Sequence, residues 1–518
     1  MTRNPTNETT TMKQLQFSPI KFASASCLQP LFAALCLVSL PVWAAEAKPP
    51  ARNNIILVMP DDVGYGDYAC LGNPVMHTPA VDAFKKESLL LTQFHVSPTC
   101  SPTRAALMSG RHEFKNGVTH TIYERERMSL KTFTLAQMLK SAGYTTGIFG
   151  KWHLGDEEAY RPENRGFDEV YIHGGGGIGQ TYPGSGGDAP NNSNIDPTLW
   201  HNGKFEKTKG YCTDLFFAQA IRWMDARRAG TNPFFAYIPL NAAHSPHVVP
   251  KDYYQQYVGK PGVNEDMAKF FGMIENVDKN FGMLLEKLDQ WGIAENTLVI
   301  YLATDNGGTA GVKLFNAGMR GGKGSAYEGS TRAPCFFRWP GVIKGGTECA
   351  ALSAHIDIFP TLADIVGAKL SDEVKQQVEG RSLWPLLQNP QSAWPDRELF
   401  THVGRWDLGA APVKFGKCSI RNTRFAMVRE KQRWKLFDLQ KDPGQNKDVA
   451  AHHPDVVARL SADYDAWWKS VQPFLVNEDA YKTAPQTNPF KELYWQQFGG
   501  RPELGAESKV KAHKQAAP

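Results

Sequence analysis

The 518-residue sequence has no C-x-x-C pair, no internal repeat and no extended block of like charge. The missing C-x-x-C spacing argues against a zinc cage. The formal net charge is only +5, and residues 1–44 hold Arg3, Lys13 and Lys21 against Glu8, which leaves +3 for the remainder. An excess that small argues against nucleic acid as a partner. The most apolar stretch, residues 28–43, follows Lys13 and Lys21 and runs into Val42-Trp43-Ala44-Ala45. It reads as an export signal over residues 1–44, with an N-terminal membrane anchor as the competing reading. The expectation is a protein exported to the periplasm or outside the cell, with no stable membrane span. Of eight cysteines, Cys27 and Cys36 lie in that leader; Cys70, Cys100, Cys212, Cys335, Cys349 and Cys418 remain, with a connectivity that spacing does not set.

What is present is globular: 42% hydrophobic residues with 46 Gly and 34 Pro, and a length that predicts two or more domains. Ile55-Ile56-Leu57-Val58-Met59, Phe234-Phe235-Ala236-Tyr237-Ile238 and Leu298-Val299-Ile300-Tyr301-Leu302 are short continuous apolar runs. Such runs suit strands covered on both faces. Between the last two, Phe270, Phe271, Ile274, Val277, Phe281, Leu284, Leu285 and Leu288 recur at helical steps, and Gly292 ends the pattern. This order predicts an α/β fold, a doubly wound and mostly parallel sheet flanked by helices. Past residue 387, Arg424-Phe425-Ala426-Met427-Val428 and Trp434-Lys435-Leu436-Phe437-Asp438 read as antiparallel strands followed by a helix near 454–470. The expected division is a catalytic domain over 53–387, a smaller α+β domain on an antiparallel sheet over 388–502, and a disordered tail over 503–518.

Four polar clusters follow predicted strands: Asp61-Asp62, Lys151-Trp152-His153, His244, and Asp305-Asn306. Ligands of open α/β sheets gather at the carboxyl ends of strands. Asp61, Asp62, Asp305 and Asn306 offer the oxygen donors that calcium or magnesium prefers, although adjacent acids after a strand also serve as caps and turn formers. Cys100-Ser101-Pro102-Thr103-Arg104-Ala105-Ala106-Leu107-Met108 reads as a helix with Cys100 at its positive end. A helix N-terminus lowers a thiol pKa and favours anions. A buried inert cysteine or a simple thiolate nucleophile are the other readings.

Cys100-Ser101-Pro102-Thr103-Arg104 resembles the C-x-P-x-R signature of the type I, formylglycine-dependent sulfatases, arylsulfatase-like members of the alkaline phosphatase superfamily. The stretch from Gly143 to Gly155, containing Gly150-Lys151-Trp152-His153-Leu154-Gly155, resembles the second signature of that family. The resemblance continues through Asp305-Asn306-Gly307-Gly308, Gly322-Lys323-Gly324 with Tyr327-Glu328-Gly329, and Arg338-Trp339-Pro340-Gly341, across roughly residues 53–470. It implies that Cys100 is oxidised to formylglycine by a formylglycine-generating enzyme or an anaerobic maturase, and that its hydrated aldehyde attacks sulfur. It also implies a calcium ion, in preference to magnesium, on Asp61, Asp62, Asp305, Asn306 and the modified Cys100. Arg104 would steady the formylglycine; Lys151, His153, His244 and Lys323 would hold sulfate and move protons, with His153 as base.

Two departures stand out. Glu328-Gly329-Ser330 replaces the E-G-G that is common in the family, a change expected to be tolerated. In Ala243-His244-Ser245-Pro246-His247, His244 is preferred for the site because Pro246 then falls at the family's proline, and His247 is left as a substrate contact or a structural histidine. The Gly-rich segment 174–203, with Tyr182, Trp200 and His201, is expected either to shape specificity or to be a surface excursion. Trp200, His201 and Arg320 are further candidates for substrate contact. The expected substrate is a sulfated carbohydrate, with a phosphodiesterase or phosphonate hydrolase, or a non-catalytic glycan-binding protein, as the alternatives.

Overall fold

In the computed structural model, residues 53–180, 189–407, 410–475 and 488–500 are described. The leader, Tyr182 and the tail lie outside them. The alternation of each apolar run decides the architecture. Along β1 (Asn54–Met59), Ile55, Leu57 and Met59 enter one buried cluster while Ile56 and Val58 enter another. Successive side chains of a strand point to opposite faces, so a wholly apolar strand needs cover on both. β8 (Phe234–Pro239) and β9 (Thr297–Leu302) divide in the same way.

The other strands are β2 (Leu89–Leu91), β3 (Phe94–His95), β4 (Thr145–Lys151), β5 (Glu169–His173), β6 (Thr198–His201), β7 (Lys204–Lys207), β10 (Cys335–Arg338), β11 (Thr347–Cys349), β12 (Ser353–Ala354), β13 (Leu399–His402), β14 (Cys418–Arg421), β15 (Phe425–Glu430) and β16 (Arg433–Asp438). Ten of them form one sheet in the order β11-β2-β10-β9-β1-β8-β4-β5-β6-β7. The five central strands, β9-β1-β8-β4-β5, run parallel; outside them the pairings are antiparallel except that of β11 with β2, which is parallel. β3 and β12 make a small pair, and β13 to β16 an antiparallel sheet. The expected fold class is therefore the observed one.

The long helix between β8 and β9 spans Glu265–Gln290, starting five residues before the apolar pattern, because the Asn264 side chain accepts from the Met267 amide and caps it. Helix Pro454–Val471 covers the antiparallel sheet through Leu460, Tyr464, Trp467, Trp468 and Val471. The change of character near residue 388 falls between helix Trp384–Gln388 and β13. All six described cysteines carry free thiols. Among the described residues no helix is long and apolar enough to cross a membrane.

β4 can lie beside β8 only because residue 150 has no side chain. Gly150 has φ +138°, and a Cβ there would stand 1.9 Å from the Pro239 carbonyl oxygen. The strand it serves ends in Lys151. Gly150→Ala is expected to destabilise the protein by about 3 kcal/mol or more in urea unfolding; a change below about 0.5 kcal/mol, the usual surface scale, would contradict this account.

Candidate active site

Because β9, β1, β8 and β4 are parallel neighbours, their carboxyl ends open on the same side of the sheet, and Asp305-Asn306, Asp61-Asp62, His244 and Lys151 emerge there together. Asp62 and His153, the latter two residues past Lys151, hold left-handed backbone, at φ +62° and φ +60°. Non-glycine residues adopt that region at a steric cost, and such strain concentrates at functional sites.

Helix Cys100–Ser109 delivers the remaining parts, with Cys100 as its buried first residue. It is held locally: Thr103 Oγ1 accepts from the Ser97 amide, and Ser101 Oγ donates to the His153 carbonyl at 2.9 Å. One turn on, Arg104 points into the sheet. Its Nε and Nη2 donate to Asp305 Oδ2 at 2.9 and 2.6 Å, and its Nη1 donates to the Lys151 carbonyl at 2.9 Å. Lys151 Nζ pairs with Asp61 Oδ2. Lys323 Nζ reaches Asp62 Oδ1 at 2.5 Å, where Asn306 Nδ2 also donates at 2.9 Å.

These pairings set the charge states. Burial alone would raise the Asp305 and Asp62 carboxyls, but Arg104 beside the first and Lys323 beside the second hold both below the usual range. Burial would lower Lys323, yet Asp62 outweighs it and raises the ammonium. Asp61 goes the other way, raised by burial and then by Asp305, with Lys151 only partly opposing. Burial pushes His244 down to about 3, so its imidazole is neutral near pH 7. The His244 Nδ1 proton is directed at the Ser245 carbonyl, 2.7 Å away, and Nε2 stands 3.8 Å from Asp62 Oδ2.

His153 is fully buried. Its Nε2 lies 2.9 Å from the Thr121 carbonyl and 3.1 Å from Glu126 Oε2. The carbonyl can only accept, which assigns the proton to Nε2 and leaves the Nδ1 lone pair unpartnered. Burial, then Lys151, lowers its pKa.

The donor set fits a hard divalent cation. Asp61 Oδ1, Asp305 Oδ1 and Asn306 Oδ1 are buried without a hydrogen-bond partner. Ligand atoms of Asp61, Cys100 and Asp305 lie within 4.8 Å of one another. Oxygen acceptors turned inward with nothing to accept from are what calcium or magnesium requires.

Four other candidates are engaged elsewhere. Trp200, on the ninth strand of the sheet, is buried, donates from Nε1 to Glu163 at 2.6 Å and packs on Phe205 and Phe490. His201 lies between Glu169 and Glu206, 3.0 Å from each. His247 Nδ1 meets Asp266 at 2.8 Å, and its ring stands edge-on to Phe270, a structural setting. Arg320 reaches Glu430 at 2.8 Å and lies over the Tyr327 ring. Ser330 fits without a left-handed backbone, though its buried Oγ finds no partner.

Two site residues escape a reading of the sequence. Glu126 sits in a loop of short turns with no periodic signal. His173 ends β5, opposite Lys151 in register, and both of its ring nitrogens are buried without a partner. Burial, then Lys151 and Arg104, lowers its pKa well below the usual histidine value.

An open, mostly parallel sheet with this donor set at its strand ends has the alkaline phosphatase superfamily fold. The family model described as Sulfatase matches residues 53–368, and one described as N-sulphoglucosamine sulphohydrolase, C-terminal, matches residues 322–465. N-acetylgalactosamine-6-sulfatase of Rattus norvegicus is 30% identical over 407 residues, covering 73% of this chain and 72% of its own. Arylsulfatase A of Homo sapiens is 30% identical over 479 residues, covering 82% and 89%. The crystal structure of Ps i-CgsB, solved also in complex with k-i-k-neocarrahexaose, is similar at TM-score 0.72 and 27% identity, covering 86% of this chain and 97% of that one. The chain belongs to the sulfatase family and is a sulfuric ester hydrolase.

The Glu126 carboxyl faces the site at His153. Glu126→Gln is expected to lower kcat on an aryl sulfate roughly 10–100-fold with KM little changed, as loss of an orienting partner does. An unchanged kcat would remove Glu126 from the site.

Proposed function

We propose that this chain removes sulfate from sulfated carbohydrates, with Cys100 oxidised to formylglycine and a calcium ion, in preference to magnesium, on Asp61, Asp62, Asp305 and Asn306. The observation that carries the reading is the buried nest itself: three inward-facing oxygens without partners beside Cys100, ringed by Arg104, Lys151 and Lys323. When present, the ion would supply Lewis-acid neutralisation of sulfate oxygens, and the formylglycine a hydrated carbonyl oxygen as nucleophile.

The residues divide the remaining work. Arg104 holds Asp305 ionised and ties it to the Lys151 backbone, which keeps the two strand ends in register. Lys151, wholly buried, and Lys323, whose side chain is 17% exposed, put two ammonium groups where a sulfate monoester carries its charge. Lys323 is the cation nearer solvent, so its spare N–H bonds are available to the substrate. His153 presents a buried Nδ1 lone pair, oriented by Glu126 and Thr121, and acts as base. Lys323 retains its proton and serves as the acid for a poor alkoxide leaving group such as a sugar oxygen, whereas His244, depressed to about 3, accepts rather than donates.

The carbohydrate substrate rests on the relatives: one is named for N-acetylgalactosamine-6-sulfate chemistry, and a structural neighbour was solved with a neocarrahexaose. Export to the periplasm or beyond belongs to the same reading, as does a formylglycine-generating or anaerobic maturase partner.

Protein made beside a competent maturase is expected to give a Cys100 peptide lighter than the unmodified one by mass spectrometry, and to desulfate both aryl sulfates and sulfated oligosaccharides. Cys100→Ala should abolish both activities. Retained activity in that variant would sink the mechanism, and hydrolysis of aryl sulfates but no sulfated glycan would sink the substrate class. Separately, calcium returned to chelator-stripped protein at about 100 times its Kd should raise stability by roughly 2.7 kcal/mol. Asp305→Asn should lose most of that gain in a thermal melt, and an equal gain in the variant would place the ion elsewhere.

A further inference from the structure

The hairpin of β15 and β16 has two working faces. Val428, Glu430 and Lys435 share one, which packs on Ala326 and Tyr327, with Glu430 accepting from Arg320, Tyr327 and Lys435. That face is thereby joined to the 320–327 segment that carries Lys323. The opposite face, with Met427 and Leu436, forms the core under helix Pro454–Val471. Toward the tip stand Arg429 and Trp434, paired across the strands, with the Trp434 ring 5.2 Å from that of Tyr464 on the same helix.

Phe415 completes this tip. Its ring meets Trp434 edge-on at 6.1 Å and stacks on Tyr464 at 6.1 Å. The Arg429 guanidinium lies 4.6 Å from the Phe415 ring centroid and 5.4 Å from that of Trp434, and Lys414 Nζ lies 4.8 Å from Phe415. Even so, Phe415 is 41% exposed and Val413 48%. The loop bearing them is pinned: His402 Nε2 donates to the Val413 carbonyl, and the Tyr464 hydroxyl donates to that of Lys414. A partly exposed aromatic on a fixed backbone, already bordered by cations, has little left to order on binding.

The charge around it is one-sided. Residues 410–435 hold eight Lys and Arg against a single acid, Glu430, in a chain whose whole net charge is +5. Glu328, Asp438, Glu430 and Asp465 pair with Arg421, Arg424, Lys435 and Lys414. Lys417, Arg429 and Lys431 have no carboxylate within 4.0 Å among the described residues, and Arg429 Nε is buried without any acceptor. Unpaired cations beside an exposed ring favour a ligand that is anionic and carries apolar C–H faces.

We propose that Phe415, Arg429 and Trp434, with Lys417 and Lys431, form a non-catalytic binding platform for a sulfated polysaccharide chain. The proposal rests on the reading of the substrate as sulfated carbohydrate, and adds a second holding point on the far face of the hairpin that secures the Lys323 segment. Sugar C–H faces lie on Phe415 while sulfates meet the unpaired cations.

The test uses the full chain and two exposed-residue variants, Phe415→Ala and Lys417→Glu combined with Lys431→Glu. Binding is measured on dextran sulfate beads, with unsulfated dextran beads as control, and p-nitrophenyl sulfate hydrolysis is followed in parallel. Each variant should weaken dextran sulfate binding about fivefold to tenfold, the scale of one lost aromatic–cation or close charge contact, while aryl sulfate kcat/KM is unchanged. Polyglutamate of matched charge should displace the wild-type chain poorly. Unchanged affinity in both variants overturns the platform, and so does equal displacement by polyglutamate. Bead binding needs no turnover, so a failure to desulfate any glycan would count against the substrate class and leave the platform result legible.

Discussion

Three carboxylates buried at the ends of neighbouring strands would repel one another and lose their hydration, and neither penalty is small in a low-dielectric interior. The structure meets this with one cation for each: Arg104 for Asp305, Lys151 for Asp61, Lys323 for Asp62. These partners come from three separate places, a helix, a strand end and a loop, so the pairings tie together segments distant in sequence. The match is also incomplete. One oxygen of Asp61, one of Asp305 and one of Asn306 still lack a donor. A buried unsatisfied polar atom costs about 1–3 kcal/mol, so the site is an acceptor-rich hole whose natural occupant is positive.

The same constraint explains the local strain. Asp62 must turn back from β1 to meet Lys323 and Asn306, and His153 must turn back from β4 to place Nε2 against Thr121 and Glu126. Both do so through left-handed backbone. Gly150 lets β4 approach β8 closely enough that Lys151 and Asp61 share one end of the sheet. Removing that approach would separate a cation from its carboxylate, so the packing of two strands and the electrostatics of the site are one problem.

Much of this was legible in the residues because a simple rule held: polar groups just past apolar runs collect at one end of a parallel sheet. Asp61, Asp62, Lys151, His153, His244, Asp305 and Asn306 all follow it. So does His173, but Glu169-Val170-Tyr171-Ile172-His173 is a short mixed strand whose apolar signal is too brief to mark its end. Glu126 follows no rule, since its place depends on a tertiary contact with a histidine 27 positions on. Trp200 and His201 misled for the reverse reason. An aromatic in a Gly-rich stretch suggests a substrate platform, yet nothing local reveals that Glu163, Glu169 and Glu206 already take their polar atoms.

The antiparallel sheet at the C-terminal end is part of this argument. Arg421 of β14 donates to both oxygens of Glu328, at the head of the turn whose Gly329 carbonyl would lie 2.2 Å from a Cβ on Gly307. Arg125, next to Glu126, is held by the Gly404 and Trp406 carbonyls just beyond β13. Glu430 anchors Arg320 and Tyr327 on either side of Lys323. The second sheet thus grips both loops that the first sheet cannot reach, the one orienting His153 and the one carrying Lys323. Lys323 is the site cation with access to solvent, so the placement of the group that first meets an incoming sulfate depends on strands far down the chain, which is a physical reason for the two sheets to be retained together.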